Sequence, residues 1–209
     1  MTTTCLVLAA LLLAAEPATQ ASVDLPAARK SGGMPLMEAL AKRSTSRAFD
    51  TRELSQQQLS DLLWAAFGIN RPDGKRTAPS AMNYQETDIY VLLRQGAYRY
   101  EPKGHRLEPI VAEDIRWLGG SQEFVRDAPV TLVFVADLSR MGETPSSQKT
   151  TWAAIATGCI SQNVYLYSAS EGLATGVRAF VDRDALGARL GLRPDQVILA
   201  AQSVGYPKP

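Results

Sequence analysis

Between Lys42 and Arg47 the chain reads Lys-Arg-Ser-Thr-Ser-Arg, which sets two guanidiniums and three hydroxyls at the end of a short helical pattern. Charge-assisted hydrogen bonds from such a set can hold a phosphate dianion, although a solvated basic turn has the same composition. A second chemical stretch is Arg76 to Gln85, RTAPSAMNYQ, after Pro72-Asp73-Gly74. Its small and amide side chains suit a loop that brings backbone and carboxamide donors up to a flat polar heterocycle; a plain loop leading into a strand has the same look. Elsewhere the means of catalysis are sparse. His105 is the chain's one histidine and falls in an expected turn, so a Ser/His/Asp triad or a histidine-based metal site has little to be built from. Cys159 lies inside an apolar helical pattern and reads as a small buried thiol. Neither GxGxxG nor GxxxxGK[ST] occurs, which removes the common dinucleotide and P-loop sites.

The elements that must position these residues follow from periodicity. Leu36, Ala39 and Leu40 suit a short helix from near Pro35, and Ser55 looks like the N-cap of a half-buried helix through Leu59, Leu62, Leu63, Ala66 and Phe67, stopped by Gly68. Residues 88–94 read as a strand, 97–101 and 106–110 as a hairpin, and 112–118 as a short helix. The unbroken apolar run of residues 130–136 is a strand of the kind buried mid-sheet. Residues 150–171 form the longest helical pattern, with Gly172 as its stop; 176–181 is then extended, Asp182 caps a helix to Leu190, and 197–204 closes as a strand. Hairpins mixed with crossovers favour α+β over a doubly wound parallel sheet.

The whole is a chain of 209 residues, long enough for one large core, with 22 basic and 21 acidic residues and a net charge of +1. A near-neutral chain has no general field for nucleic acid, and two cysteines make no disulfide scaffold. Residues 5–15 are an apolar run too short to span a bilayer and within the range of a signal-peptide core; a buried N-terminal helix is the alternative. The expected organisation is a signal peptide over 1–21, a flexible lead-in over 22–34 and one domain over 35–209, with no stable membrane span after leader removal and an exported, periplasmic location.

Taken in order, several segments resemble the nitroreductase-like FMN-dependent oxidoreductases. RSTSRAF at 43–49 is similar to their R-x-[ST]-x-R-x-F motif, PSAMNYQ at 79–85 to their P-S-x-x-N-x-Q loop, and GLATGVRAF at 172–180 to the Gly-Leu turn and strand facing the flavin. Gln162 and Asn163 match the family's helix pattern, and the chain ends on Val-Gly-Tyr-Pro-Lys. The resemblance covers about residues 37–208, and the hairpin AYRYEPKGHRL resembles most the branch of the thiazoline/oxazoline dehydrogenases.

That resemblance implies a nitroreductase-like α+β fold, with a central mixed or antiparallel sheet flanked by helices, an intertwined homodimer, and FMN at the subunit interface. Arg43, Thr45, Arg47 and Lys208 would hold the phosphate and ribityl chain, with Ser44 in place of Thr45 if the register shifts. Pro79, Ser80 and Asn83 would approach the ring or ribityl hydroxyls, and backbone amides of Arg178 and Ala179 would approach flavin N5. No metal is implied. Trp152, Tyr165 and Tyr167 would give the long helix an interface face; in a monomer the same pattern is that of a core helix. The chain departs from the azoline-oxidising branch: Ile155, Ala156, Thr157, Gly158 and Cys159 stand where that branch has Glu-Ala-Gly-His, and its Lys-Tyr pair is missing. Lys149 and Tyr84 are the remaining candidate acid/base groups. The expected activity is electron transfer through FMN to or from a small organic substrate such as a nitro compound or quinone; the other reading is a flavin-binding or scaffold protein without turnover.

Overall fold

The structure is a computed structural model that describes residues 21–208. The expected leader therefore lies outside the described residues, except for Ala21. Seven strands form one sheet in the order β1-β4-β3-β2-β5-β7-β6. They are β1 (Val23–Asp24), β2 (Thr87–Leu93), β3 (Gly96–Glu101), β4 (Arg106–Val111), β5 (Val130–Asp137), β6 (Ala174–Arg178) and β7 (Gln196–Gly205). Every pairing between them is antiparallel. The expected choice between a mixed and an antiparallel sheet is settled as antiparallel.

Helices α1 (Leu36–Lys42), α2 (Gln56–Phe67), α3 (Phe124–Asp127), α4 (Ser146–Ser170) and α5 (Arg183–Leu190) complete the fold. Helix α2 starts where Ser55 and Gln58 satisfy each other's backbone N–H groups in a capping box. Asp182 caps α5 by accepting from Ala185 N–H at 3.0 Å. Along β2, Ile89, Val91 and Leu93 join the core under α2 and α4, whereas Tyr90 and Leu92 join the core under α5. Strand β5 sends Leu132 and Phe134 to one layer and Val133 and Val135 to the other. Both its faces are covered, which is why it reads as a continuous apolar run. Each fully buried Leu or Val in these layers is worth about 1.5–3 kcal/mol relative to exposure.

Three local expectations change. Residues 112–118 do not form a helix: a 3-10 turn occupies Arg116–Gly119. The carboxylate of Asp114 accepts from Arg116 N–H and its guanidinium at 3.1, 2.9 and 2.7 Å, an alternative to helical bonding. Cys159 is half-buried and, among the described residues, forms no disulfide; it packs against the α2/α4 core. The lead-in carries more structure than its composition implies. Val23 pairs with Leu107, Ser60 Oγ donates to Pro26 O at 2.6 Å, and Asp61 receives Arg29 N–H and Nε–H, both at 2.7 Å.

Candidate functional site

The basic turn follows α1 and runs along the free edge of β6. Ser46 N–H donates to Thr175 O at 2.9 Å, extending the sheet by one residue. Gly176 makes this possible, since a Cβ there would lie 2.7 Å from Ser46 O. On the other side, Phe49 bridges Pro207, and Lys208 N–H donates to Ala48 O at 3.3 Å. Lys208 is thereby brought beside Ala48, one residue from Arg47, although it lies more than 150 positions away in the chain. Arg47 and Lys208 make no ion pair among the described residues. Arg43 faces the ring of Tyr165, with its guanidinium carbon 5.3 Å from the ring centre.

Tyr165 carries a role here that helical periodicity does not show. Its hydroxyl pairs with Thr45 Oγ1 at 2.9 Å and accepts Val177 N–H at 3.0 Å, so one buried side chain ties the basic turn to β6. Both of these bonds lie within its own chain. Tyr167 also turns inward, donating to Gln58 O at 3.2 Å. The partners of Tyr165 are 120 and 12 residues away, and helical periodicity carries no sign of them. Because Thr45 is engaged, Ser44 offers the free hydroxyl of the turn.

A cavity of about 190 Å3 opens where these pieces meet, lined by Thr45, Arg47, Phe124, Gly176, Arg178 and Ala179 among others. Ala179 is exposed at its mouth, and Phe180 projects beyond it, 74% exposed. The Arg178 side chain turns the other way. It is buried, with Nε donating to Gly119 O at 2.8 Å and Nη1 to Ser203 Oγ at 2.9 Å. Burial pushes its pKa down to about 10, which still leaves it charged at neutral pH.

The second predicted group, Pro79, Ser80 and Asn83, lies elsewhere. Pro79 and Ser80 line a cavity of about 250 Å3 with Trp152, Ile155 and Ala156 of α4, and this cavity shares no lining residue with the first. The loop is held in an uncommon shape. Met82, Asn83 and Gln85 all have positive φ, at 50°, 56° and 48°. Ser80 Oγ accepts Gln85 N–H at 2.9 Å, and Arg76 Nε donates to Gln85 Oε1 at 2.8 Å. Left-handed conformations at three non-glycine residues cost about 1–3 kcal/mol each, and such strain gathers at functional sites. Just after the loop, the fully buried Glu86 carboxyl has no partner, and burial raises its pKa.

The two candidate acid/base groups are both occupied. Lys149 Nζ donates to Leu138 O at 3.2 Å, and the Tyr84 hydroxyl lies 3.2 Å from Thr144 Oγ1.

The chain is 41% identical to a protein of Ralstonia eutropha named as a nitroreductase, with a TM-score of 0.87 over 93% of each chain. It is 31% identical over 160 residues to a Methanocaldococcus jannaschii protein also named as a nitroreductase, covering 71% of this chain and 81% of that one. A chain of the Escherichia coli microcin synthetase complex shares the fold at 19% identity, with a TM-score of 0.69 over 86% of this chain and 76% of its own. Residues 40–206 match the nitroreductase family itself. With that match running over most of its length, and with relatives at 31% and 41% identity, the chain belongs to the nitroreductase family of oxidoreductases.

Proposed function

We propose that this protein is an exported FMN-dependent oxidoreductase, acting as a homodimer on a small organic substrate such as a quinone or nitro compound. The observation that carries the reading is a turn bearing Arg43 and Arg47 that runs along β6, with the Lys208 backbone bonded beside it and Arg47 lining a cavity with Arg178 and Ala179. The donor set fits FMN. The three cations and the Ser44 hydroxyl suit a phosphate dianion, and Tyr165 holds the turn against the strand. Bound there, FMN would supply two-electron transfer at N5. The chain's own residues bind, orient and leave one face open, as in other cofactor enzymes.

The separation of the two cavities supports the dimer. Within one chain Pro79, Ser80 and Asn83 do not meet the basic turn, so a second copy is what would bring its strained loop to the cofactor. Leu36, Met37 and Ile155 are 62%, 76% and 63% exposed, leaving apolar surface for that copy to cover. Within the family, the hairpin at 97–107 favours the neighbourhood of the azoline dehydrogenases, without azoline oxidation itself.

Export rests on the apolar run at 5–15. The leader has no twin arginine, so the chain would cross unfolded and capture FMN outside the cytoplasm. That requires a Kd of about micromolar or below. There, a thiol, quinol or other reduced organic donor takes precedence over NAD(P)H. A flavin-binding protein without turnover is the second reading, favoured by the engagement of Lys149 and Tyr84.

The test is purification of the mature protein, mass spectrometry of its N-terminus and bound flavin, and photoreduction followed by stopped-flow reoxidation. Rapid reoxidation by a quinone or nitroarene supports the enzyme. A bound flavin inert to all acceptors supports the second reading, and a colourless protein that takes up no FMN removes both. Recovery of the chain only in the cytoplasm with residues 1–21 intact ends the export argument.

A further inference from the structure

Arg178 presents a charge that the fold does not neutralise. Only 9% of the residue is exposed, its Nη2 has no hydrogen-bond partner, and among the described residues no carboxylate pairs with it. Both of its bonds go to neutral acceptors, Gly119 O and Ser203 Oγ, and the ring of Phe124 lies 5.8 Å away. Room has been made for it. A Cβ on Gly120 would stand 2.5 Å from its Nε, and one on Gly119 would stand 3.4 Å from Nη2. Burying an unpaired ion costs several kcal/mol, and an apolar residue could fill the same space more cheaply. Packing therefore does not account for an arginine here.

Position does. Arg178 ends β6 and lines the cavity together with Arg47 and Thr45. We infer that Arg178 fixes a positive charge in the wall of this cavity and would thereby favour the reduced form of an FMN held there. The inference rests on the FMN reading above. Hydride from an organic donor of the quinol class carries two electrons and one proton to N5, while the donor becomes a quinone and releases its second proton to solvent. The ring system gains one net negative charge in that exchange. A cation held by Gly119 O and Ser203 Oγ in a water-poor interior stabilises that charge without having to reorient.

The experiment is potentiometry of the FMN-loaded protein, together with Arg178→Met, Arg178→Lys and Ser203→Ala. In wild type, reduced FMN should bind at least tenfold more tightly than oxidised FMN, placing the bound couple about 30 mV or more above free FMN. Arg178→Met should lower the equilibrium constant for reduction at least tenfold, with Arg178→Lys between the two. Ser203→Ala removes the bonds of its hydroxyl to Arg178 Nη1 and Thr131 Oγ1 and keeps the charge, so it should lower thermal stability and leave the potential in place. A wild-type couple at or below that of free FMN overturns the inference, whether or not the Met variant folds. So does an unchanged potential in Arg178→Met, or an equal shift in Ser203→Ala. If wild type takes up no FMN at all, it is the underlying reading that fails.

Discussion

The molecule has two polar regions of similar richness, at opposite ends of the physical spectrum. Around the lead-in, donors and acceptors match. Ser60 has one proton and gives it to Pro26 O, so it must accept from His105 Nε2–H, 2.7 Å away, and His105 Nδ1 must accept from the Tyr100 hydroxyl at 2.8 Å. This neutral tautomer satisfies all three residues. Asp61 likewise receives Gln57 Nε2 at 2.9 Å in addition to the two Arg29 donors, and Met34 N–H closes on Ser170 Oγ at 2.7 Å. At the edge of β6 the balance is broken: Arg47 and Lys208 have no acidic partner among the described residues, and Arg178 is buried with one nitrogen unmatched. Satisfied networks hold a fold together, whereas unsatisfied ones hold out for a ligand.

Substitutions can break or sharpen that contrast. The largest effect belongs to the unmatched end. Arg43→Ala and Arg47→Ala each remove charge-assisted bonds worth about 1.5–3 kcal/mol, so FMN should bind tenfold or more weakly, with the urea midpoint of the apoprotein unmoved. Unchanged flavin retention in both purified variants would show that these cations are only a solvated turn. At the matched end the pattern should invert: Asp61→Ala should lower stability by about 2 kcal/mol in urea unfolding and leave FMN affinity as it was. A loss of affinity there would mean that the two regions are coupled.

Tyr165→Phe probes the boundary between the regions. Losing its bonds to Thr45 and Val177 N–H should cost about 1 kcal/mol of FMN binding, roughly fivefold in Kd by isothermal titration. Equal affinity would show that the basic turn needs no tether.

The smallest effect is one of pH. Burial lowers the His105 pKa from its ordinary 6.5, so the folded state binds a proton less readily than the unfolded chain. Its contribution to stability is complete above that ordinary value and declines as pH falls below it towards the folded-state pKa. Urea midpoints at about pH 7.5 and about pH 5.5 should differ less in His105→Gln than in wild type. An identical difference in both would place the titrating group elsewhere.

Local signals made much of this fold legible. The Ser55 N-cap, the apolar strand at 88–94, the apolar run of β5 and the Asp182 cap are all written in neighbouring residues, and each element formed within a residue or two of where those residues placed it. Where local chemistry offered two choices, the reading slipped: Asp114 diverted residues 112–118 from a helix to a turn by bonding Arg116. The lead-in was illegible for a different reason. Its polar residues have no period, and its order comes from His105, Ser60 and Asp61, all distant in the chain.

The candidate site divides the same way. Residue types marked the turn bearing Arg43 and Arg47 as able to hold a phosphate and 76–85 as a candidate recognition loop, because charge and hydrogen-bonding capacity belong to a side chain wherever it sits; Lys208 entered only through the family resemblance. Direction does not. Only the folded sheet turns the Arg178 guanidinium away from the cavity mouth and under Gly119, commits the Thr45 hydroxyl to Tyr165, and separates the loop at 79–85 from the basic turn. Those outcomes depend on contacts between residues far apart in sequence, where packing on two sheet faces selects the partner.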